Sequence, residues 1–265
     1  MGLGLYGGGP VSGSFVARLP NLEGRLGPVA SSCFRVASRI VNSLRAGYPV
    51  RDCAALEECR VLLVAVPDSG VDAAVASLAA APVGWASKSV LLCGCGPGSR
   101  VLEPLRQRGA AAGSLSPIEC PGARYVVEGD PPAFREARRL VRDLRGRAIR
   151  LDASAVPLYG AGLSLATALF TPLIAASVDA LRAAGLNPVA SAELAGALFQ
   201  KTLRGWLHGG KKSWTGPLAA GDCAGVAREV DALARHDPRA AQLYRDAAAF
   251  ALAYFDRHPE LRKQL

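Results

Sequence analysis

Near the start of the chain a short β-type run, Leu3 to Tyr6, meets Gly7, Gly8 and Gly9, and the residues that follow, Pro10 to Ser14, suit the opening of a helix. A glycine at 7 permits a tight turn. A glycine at 9 lets backbone approach a diphosphate with no side chain in the way, and the helix start adds free N–H groups and the positive end of its dipole. The spacing assigns Gly7, Gly9, Val11 and Ser12 to the pyrophosphate of a dinucleotide. The third glycine of such turns packs helix against strand; small Ser12 stands in its place, with Gly13 beside it. A glycine-rich turn without a ligand is the simpler alternative. At the end of the next β run, "VASSCFR", no carboxylate is present to bind ribose hydroxyls. Ser31, Ser32 and Arg35 stand there instead, and hydroxyls with a guanidinium suit a 2′-phosphate, so NADP (as NADPH) is expected over NAD.

Groups for chemistry are few. Tyr159, Lys201 and Ser116 are the candidate catalytic residues, able to hold or protonate a substrate atom. Lys201 and His208 are seven apart in a helical pattern and share a face. A Tyr159 ring buried on backbone and a solvated Lys201 face are the plainer readings. Cys93 and Cys95 form a C-x-C pair beside the expected pocket. Without a third and fourth ligand nearby they make a poor zinc site, so no metal is expected and small buried thiols are favoured.

The elements that must position these groups alternate through the first half. Strands are predicted over 3–6, 25–31, 60–67, 89–93, 110–115 and 147–151, with helices over 12–19, 34–44, 71–80, 101–108 and 131–145. Continuous apolar runs such as "RVLLVAVP" are those of strands covered on both faces. The helix over 131–145 sets Phe134, Ala137, Leu140, Val141 and Leu144 against Arg135, Arg138, Arg139, Arg142 and Arg145. Beyond Asp152 all is helical: one long apolar helix over 154–184 bent at Pro172, then helices over 189–208, 222–235 and 238–257. The fold class is an α/β Rossmann-like domain with a mostly parallel sheet, residues 1–151, followed by an all-α C-terminal domain, residues 152–265.

Half of the 265 residues are apolar and 20% are charged, which a folded core requires. The formal charge of +9 is concentrated: residues 100–150 hold 11 Arg against 6 acidic residues. The Arg face over 131–145 reads as a solvated surface, and nucleic acid is not expected as a partner. No signal segment opens the chain and no apolar run near 18 residues lacks a polar break, so no membrane span is expected. Seven cysteines without framework spacing indicate reduced thiols and a cytoplasmic location.

The stretches "GGGPVSGSF" at Gly7, "VLLVAVPDSGV" at Val61, "GSLSPIE" at Gly113, "EGDPPAF" at Glu128, "VPLYGAGL" at Val156, "KTLRGWL" at Lys201 and "TGPLAAGD" at Thr215 together carry a resemblance. The chain resembles the Rossmann-like NADP-dependent oxidoreductases whose C-terminal half is the domain of unknown function 2520, distant relatives of pyrroline-5-carboxylate reductase and 6-phosphogluconate dehydrogenase. The resemblance implies an NADP-binding domain, a helical domain that mediates dimerisation, with a second copy of the chain as partner, and an active cleft between the two domains for a small-molecule substrate. It also places Val66, Pro67 and Asp68 at the cofactor edge. The chain departs from that pattern where the family commonly carries His: Ser116 and Gly160 stand at two such positions, Ala168 or Thr167 replaces an Asn, and "LLCGCG" has no His. The expected function is hydride transfer between NADP(H) and a small substrate. The alternative is a catalytically degenerate NADP(H)-binding sensor or scaffold.

Overall fold

The computed structural model describes residues 2–8, 15–94, 96, 98–118 and 123–263. The chain divides into two compact units, Met1–Gly162 and Leu163–Leu265. The first unit therefore runs past Leu151, where the sheet was expected to hand over to the second domain.

In the first unit, strands β1 (Leu3–Gly7), β2 (Leu26–Ala30), β3 (Tyr48–Pro49), β4 (Val61–Ala65), β5 (Ser89–Cys93), β6 (Ala111–Ile118), β7 (Arg124–Gly129) and β8 (Arg147–Arg150) form one sheet in the order β3-β2-β1-β4-β5-β6-β7-β8. All neighbours pair in parallel except β6 and β7, which are antiparallel. The central strands β1, β4 and β5 are buried along their whole length, as continuous apolar runs require. Their side chains alternate between two cores. Helices α1 (Phe34–Leu44), α2 (Val71–Ala80), α3 (Glu103–Gln107) and α4 (Pro131–Asp143) cover the two faces. Leu3, Leu5, Leu63 and Leu91 pack with Ala37 and Ile40 of α1 and with Ala137, Leu140 and Val141 of α4. Tyr6, Leu62, Val64 and Leu92 pack with Val75 and Leu78 of α2 and Leu105 of α3. The five arginines of α4 named from the sequence are all exposed.

The structure changes several expectations. Strand β3 is two residues long, too short for a period to register, and its Pro49 sits on the sheet edge where a missing N–H is tolerated. Strand β7 was not anticipated; it is set by pairing with β6, with Gly113 opposite Gly129. That crossing is tight: Gly129 has φ +132°, and a Cβ there would lie 2.4 Å from the Gly113 Cα. Of the helix expected over 12–19, residues 12–14 lie outside the described residues, and Val16–Arg18 forms a single 3-10 turn.

Helix α5 (Val156–Ala166) follows β8 and spans the division between the units. The second unit holds α6 (Phe170–Ala183), α7 (Pro188–Gly209), α8 (Pro217–Ala220), α9 (Cys223–His236), α10 (Pro238–Phe255) and α11 (Pro259–Arg262). The expected single helix over 154–184 is two helices. The break falls at 167–169 rather than at Pro172, because the proline ring clashes with the carbonyl four residues earlier, at Ala168. Asn187 caps α7 through Ala190 N (2.9 Å) and Asp222 caps α9 through Gly225 N (2.8 Å). Val226, Val230, Leu252 and Leu261 form a small core with Trp214 and Tyr244.

One helical stretch among the described residues, Ala153–Ala183, is long and apolar enough by length and composition alone to cross a membrane, with mean hydropathy 1.7 and none of it buried. Ser164, Thr167, Thr171, Ser177 and Asp179 interrupt the stretch, which is built of two helices, α5 and α6. The presumed polar breaks turn inward: Thr167, Thr171 and Ser177 donate to the carbonyls of Leu163, Thr167 and Leu173 at 2.7, 2.9 and 2.7 Å, which masks their hydroxyls.

Candidate functional site

Parallel pairing brings the C-terminal ends of β1, β2, β4 and β5 to one edge of the sheet, the edge at which open α/β folds bind ligands. Gly7 closes β1, and Gly8 N donates to Ala65 O at 2.9 Å, tying the turn to the end of β4. Gly9, Val11 and Ser12 lie outside the described residues. From β4, Val66 is buried and Pro67 and Asp68 are exposed. The Asp68 carboxylate lies against Gly96 after β5, so close that a Cβ at 96 would stand 2.6 Å from its Oδ1. The sheet therefore brings Gly7, Val66, Pro67 and Asp68 to a common edge.

At the end of β2 the chain passes through Ser31 and Ser32 into α1. The Ser31 hydroxyl oxygen is shielded from solvent and has no hydrogen-bond partner among the described residues. The residue before α1 is Cys33, whose side chain makes no capping bond, although its carbonyl accepts from Val36 N (3.1 Å) and Ala37 N (3.2 Å). The first amides of a helix have no intrahelical acceptor, so this start is open to an anion. Arg35 and Arg39 follow, both exposed. A further cation, missed from the sequence, stands here: the Arg51 guanidinium lies 4.3 Å over the Phe34 ring. No periodicity flags residue 51, which follows a two-residue strand; only pairing of β3 with β2 brings it near.

The candidates for proton transfer are placed differently. Ser116, on β6, is buried and donates its hydroxyl to the Gly94 carbonyl after β5. Tyr159 lies on α5, partly buried, with its hydroxyl oxygen shielded from solvent. Lys201 is exposed on α7 in the second unit, and His208, one face along, turns its Nδ1 to the Arg204 carbonyl at 2.7 Å. Cys93 is buried, its thiol pushed up to about 12 by burial, so it stays protonated; Cys95 lies outside the described residues. No group of three or more metal-ligating side chains occurs among the described residues.

Sequence reading also missed Glu128 on β7. This carboxylate is 2% exposed and accepts from Ser99 N at 2.9 Å, Ser99 Oγ at 2.6 Å and Ser114 Oγ at 2.8 Å. It fastens the Gly98–Leu102 turn to β6 and β7. Next to it Asp130 accepts from Arg106 Nε (3.0 Å) and Ala112 N (2.8 Å). Both acids hold structure and neither faces the C-terminal edge of β2.

Sheet order and two-sided helix cover make this a Rossmann-like α/β protein with a helical C-terminal region. Residues 123–250, just under half of the chain, match the domain of unknown function DUF2520. The match begins within the sheet and takes in β7, α4 and β8. Protein TM1727 from Thermotoga maritima has a similar fold, with TM-score 0.69 and 16% identity over 99% of this chain and 98% of that one. An imine reductase from Myxococcus stipitatus in complex with NADP+ gives TM-score 0.66 at 13% identity, covering 97% of this chain and 93% of the other. A reductive aminase from Aspergillus terreus in complex with NADPH and ethyl-5-oxohexanoate gives TM-score 0.60 at 15% identity, covering 99% and 90%. No curated protein matches the sequence.

Proposed function

We propose that the chain is an NADP-dependent oxidoreductase acting on a small carbonyl or imine compound. The observation that carries this is the end of β2: a shielded Ser31 hydroxyl without a partner, at an uncapped helix start, among arginines and with no carboxylate. These groups fit a phosphate on the 2′ position of a ribose. Ser31, Ser32 and Arg35 would hold it, while Gly7, Gly9, Val11 and Ser12 would take the pyrophosphate and Val66, Pro67 and Asp68 the edge beside it. The bound nucleotide supplies or receives the hydride. The similarity to an NADP+-bound imine reductase and an NADPH-bound reductive aminase supports the same reading.

The protein's own part would be to orient substrate and manage one proton. Tyr159, Lys201 and Ser116 are the candidate groups. Ser116 donates its hydroxyl to a carbonyl and would have to give up that bond to serve. This bond favours a second reading, a protein that binds NADPH without turnover. A second copy of the chain is the proposed partner.

Titration of the full chain with NADPH and with NADH, followed by nicotinamide fluorescence, tests the cofactor assignment. Tighter binding of NADPH is the expected result, and equal or absent binding overturns it. NADPH consumption with imines, keto acids and aldehydes then separates enzyme from binder.

A further inference from the structure

We propose that Arg51, just after β3 rather than in the β2–α1 turn, is a second cation of the 2′-phosphate site and sets the preference between phosphorylated and unphosphorylated dinucleotides. The inference rests on the NADP reading above and adds a residue to it. In the register of β2 and β3, Pro28 pairs with Tyr48 and Val29 with Pro49, and Val50 N donates to Val29 O at 3.0 Å. Ser31 and Arg51 each follow by two residues the last paired positions, Val29 and Pro49, on these neighbouring strands. The Arg51 guanidinium reaches the Phe34 ring, three residues after the shielded, unpartnered Ser31 hydroxyl.

The head of Arg51 has no acidic partner among the described residues; it rests over the ring of Phe34, the first residue of α1. Its neighbour Asp52 is turned to Ala54 N at 2.9 Å and caps the following 3-10 helix instead. A cation beside the first turn of a helix is disfavoured by the helix dipole. Stacking on an exposed ring returns only part of that. A phosphomonoester dianion at the same spot reverses the sign: it is attracted by the helix start, by Arg35 and by Arg51, and a guanidinium presents a planar fork to it. The Phe34 ring then keeps the guanidinium in place until the phosphate arrives.

The test measures NADPH, NADH, 2′,5′-ADP and 5′-AMP binding to the full chain by calorimetry, for wild type, Arg51→Gln, Arg51→Lys and Phe34→Leu. Arg51 is exposed, and an unchanged circular dichroism spectrum shows that the variants fold. Arg51→Gln is expected to weaken NADPH and 2′,5′-ADP by about tenfold or more, the size of a lost charge-assisted hydrogen bond, and to leave NADH and 5′-AMP unchanged. Arg51→Lys is expected to fall between, and Phe34→Leu to weaken NADPH less than Arg51→Gln does. If wild type prefers NADPH and Arg51→Gln prefers it equally, the role of Arg51 is overturned and the cofactor reading stands. If wild type shows no preference for the 2′-phosphate, the cofactor reading falls and Arg51 with it.

Discussion

At the scale of single residues, two kinds of buried group behave in opposite ways. Glu128 is buried yet satisfied by three donors, so its removal strands Ser99 N, Ser99 Oγ and Ser114 Oγ in the interior. Glu128→Ala is expected to lower unfolding free energy by about 3 kcal/mol or more, and Glu128→Gln by less, since the amide oxygen can still accept. Urea midpoints of the three proteins check this. The thiols are satisfied by staying neutral. Burial pushes Cys59 up to about 11, and its Sγ donates to the Leu56 carbonyl at 3.1 Å. Its folded-state value is raised, so the stability held by that proton is fully present below the unfolded value near 9. It is lost as the pH rises through 9 toward 11. Cys59→Ala is expected to flatten the fall in urea midpoint across that window; an unchanged slope would show that Cys59 does not drive it.

At the scale of elements, the antiparallel step between β6 and β7 depends on one glycine. Gly129 has φ +132°, and a Cβ would meet Ala112 O at 2.5 Å as well as Gly113 Cα. Both obstacles are backbone in paired strands and cannot swing aside. Gly129→Ala is expected to cost about 3 kcal/mol or more, visible as a lower melting temperature or as loss of soluble protein. Helix limits were more legible than such steps. The helices over 34–44 and 71–80 stand where their periodicity placed them. The long helix was misread because a proline inside an apolar run signals a break without saying on which side of it the helix yields.

At the scale of the whole molecule, the second unit leaves much apolar surface in water. Leu169, Val189, Leu203 and Leu207 are 59, 67, 59 and 70% exposed, and Leu203 and Leu207 share a face of α7. Scattered apolar residues are ordinary on surfaces, but a run of them along consecutive helices suits a partner. Light scattering coupled to size exclusion is expected to give about twice the chain mass of 27.5 kDa, and Leu207→Glu to shift it toward the single-chain value. A wild-type mass of one chain would refute the second copy as partner.

The sequence by itself determined the parts of this protein that local physics controls. Buried runs of five apolar residues read as covered strands, and amphipathic spacing as helices. Tertiary structure alone decided the rest. Arg51 reaches Phe34 at the start of α1 only because β3 pairs with β2 in parallel. Glu128 is tolerable in the interior only because Ser114 and Ser99, 14 and 29 residues away, converge on it. Ser116 reads as a free hydroxyl until β6 lies against β5 and the Gly94 carbonyl accepts its hydrogen bond. Local pattern sets which conformation each segment prefers. Which side chains then face one another is fixed by strand pairing, and pairing is a property of the assembled sheet.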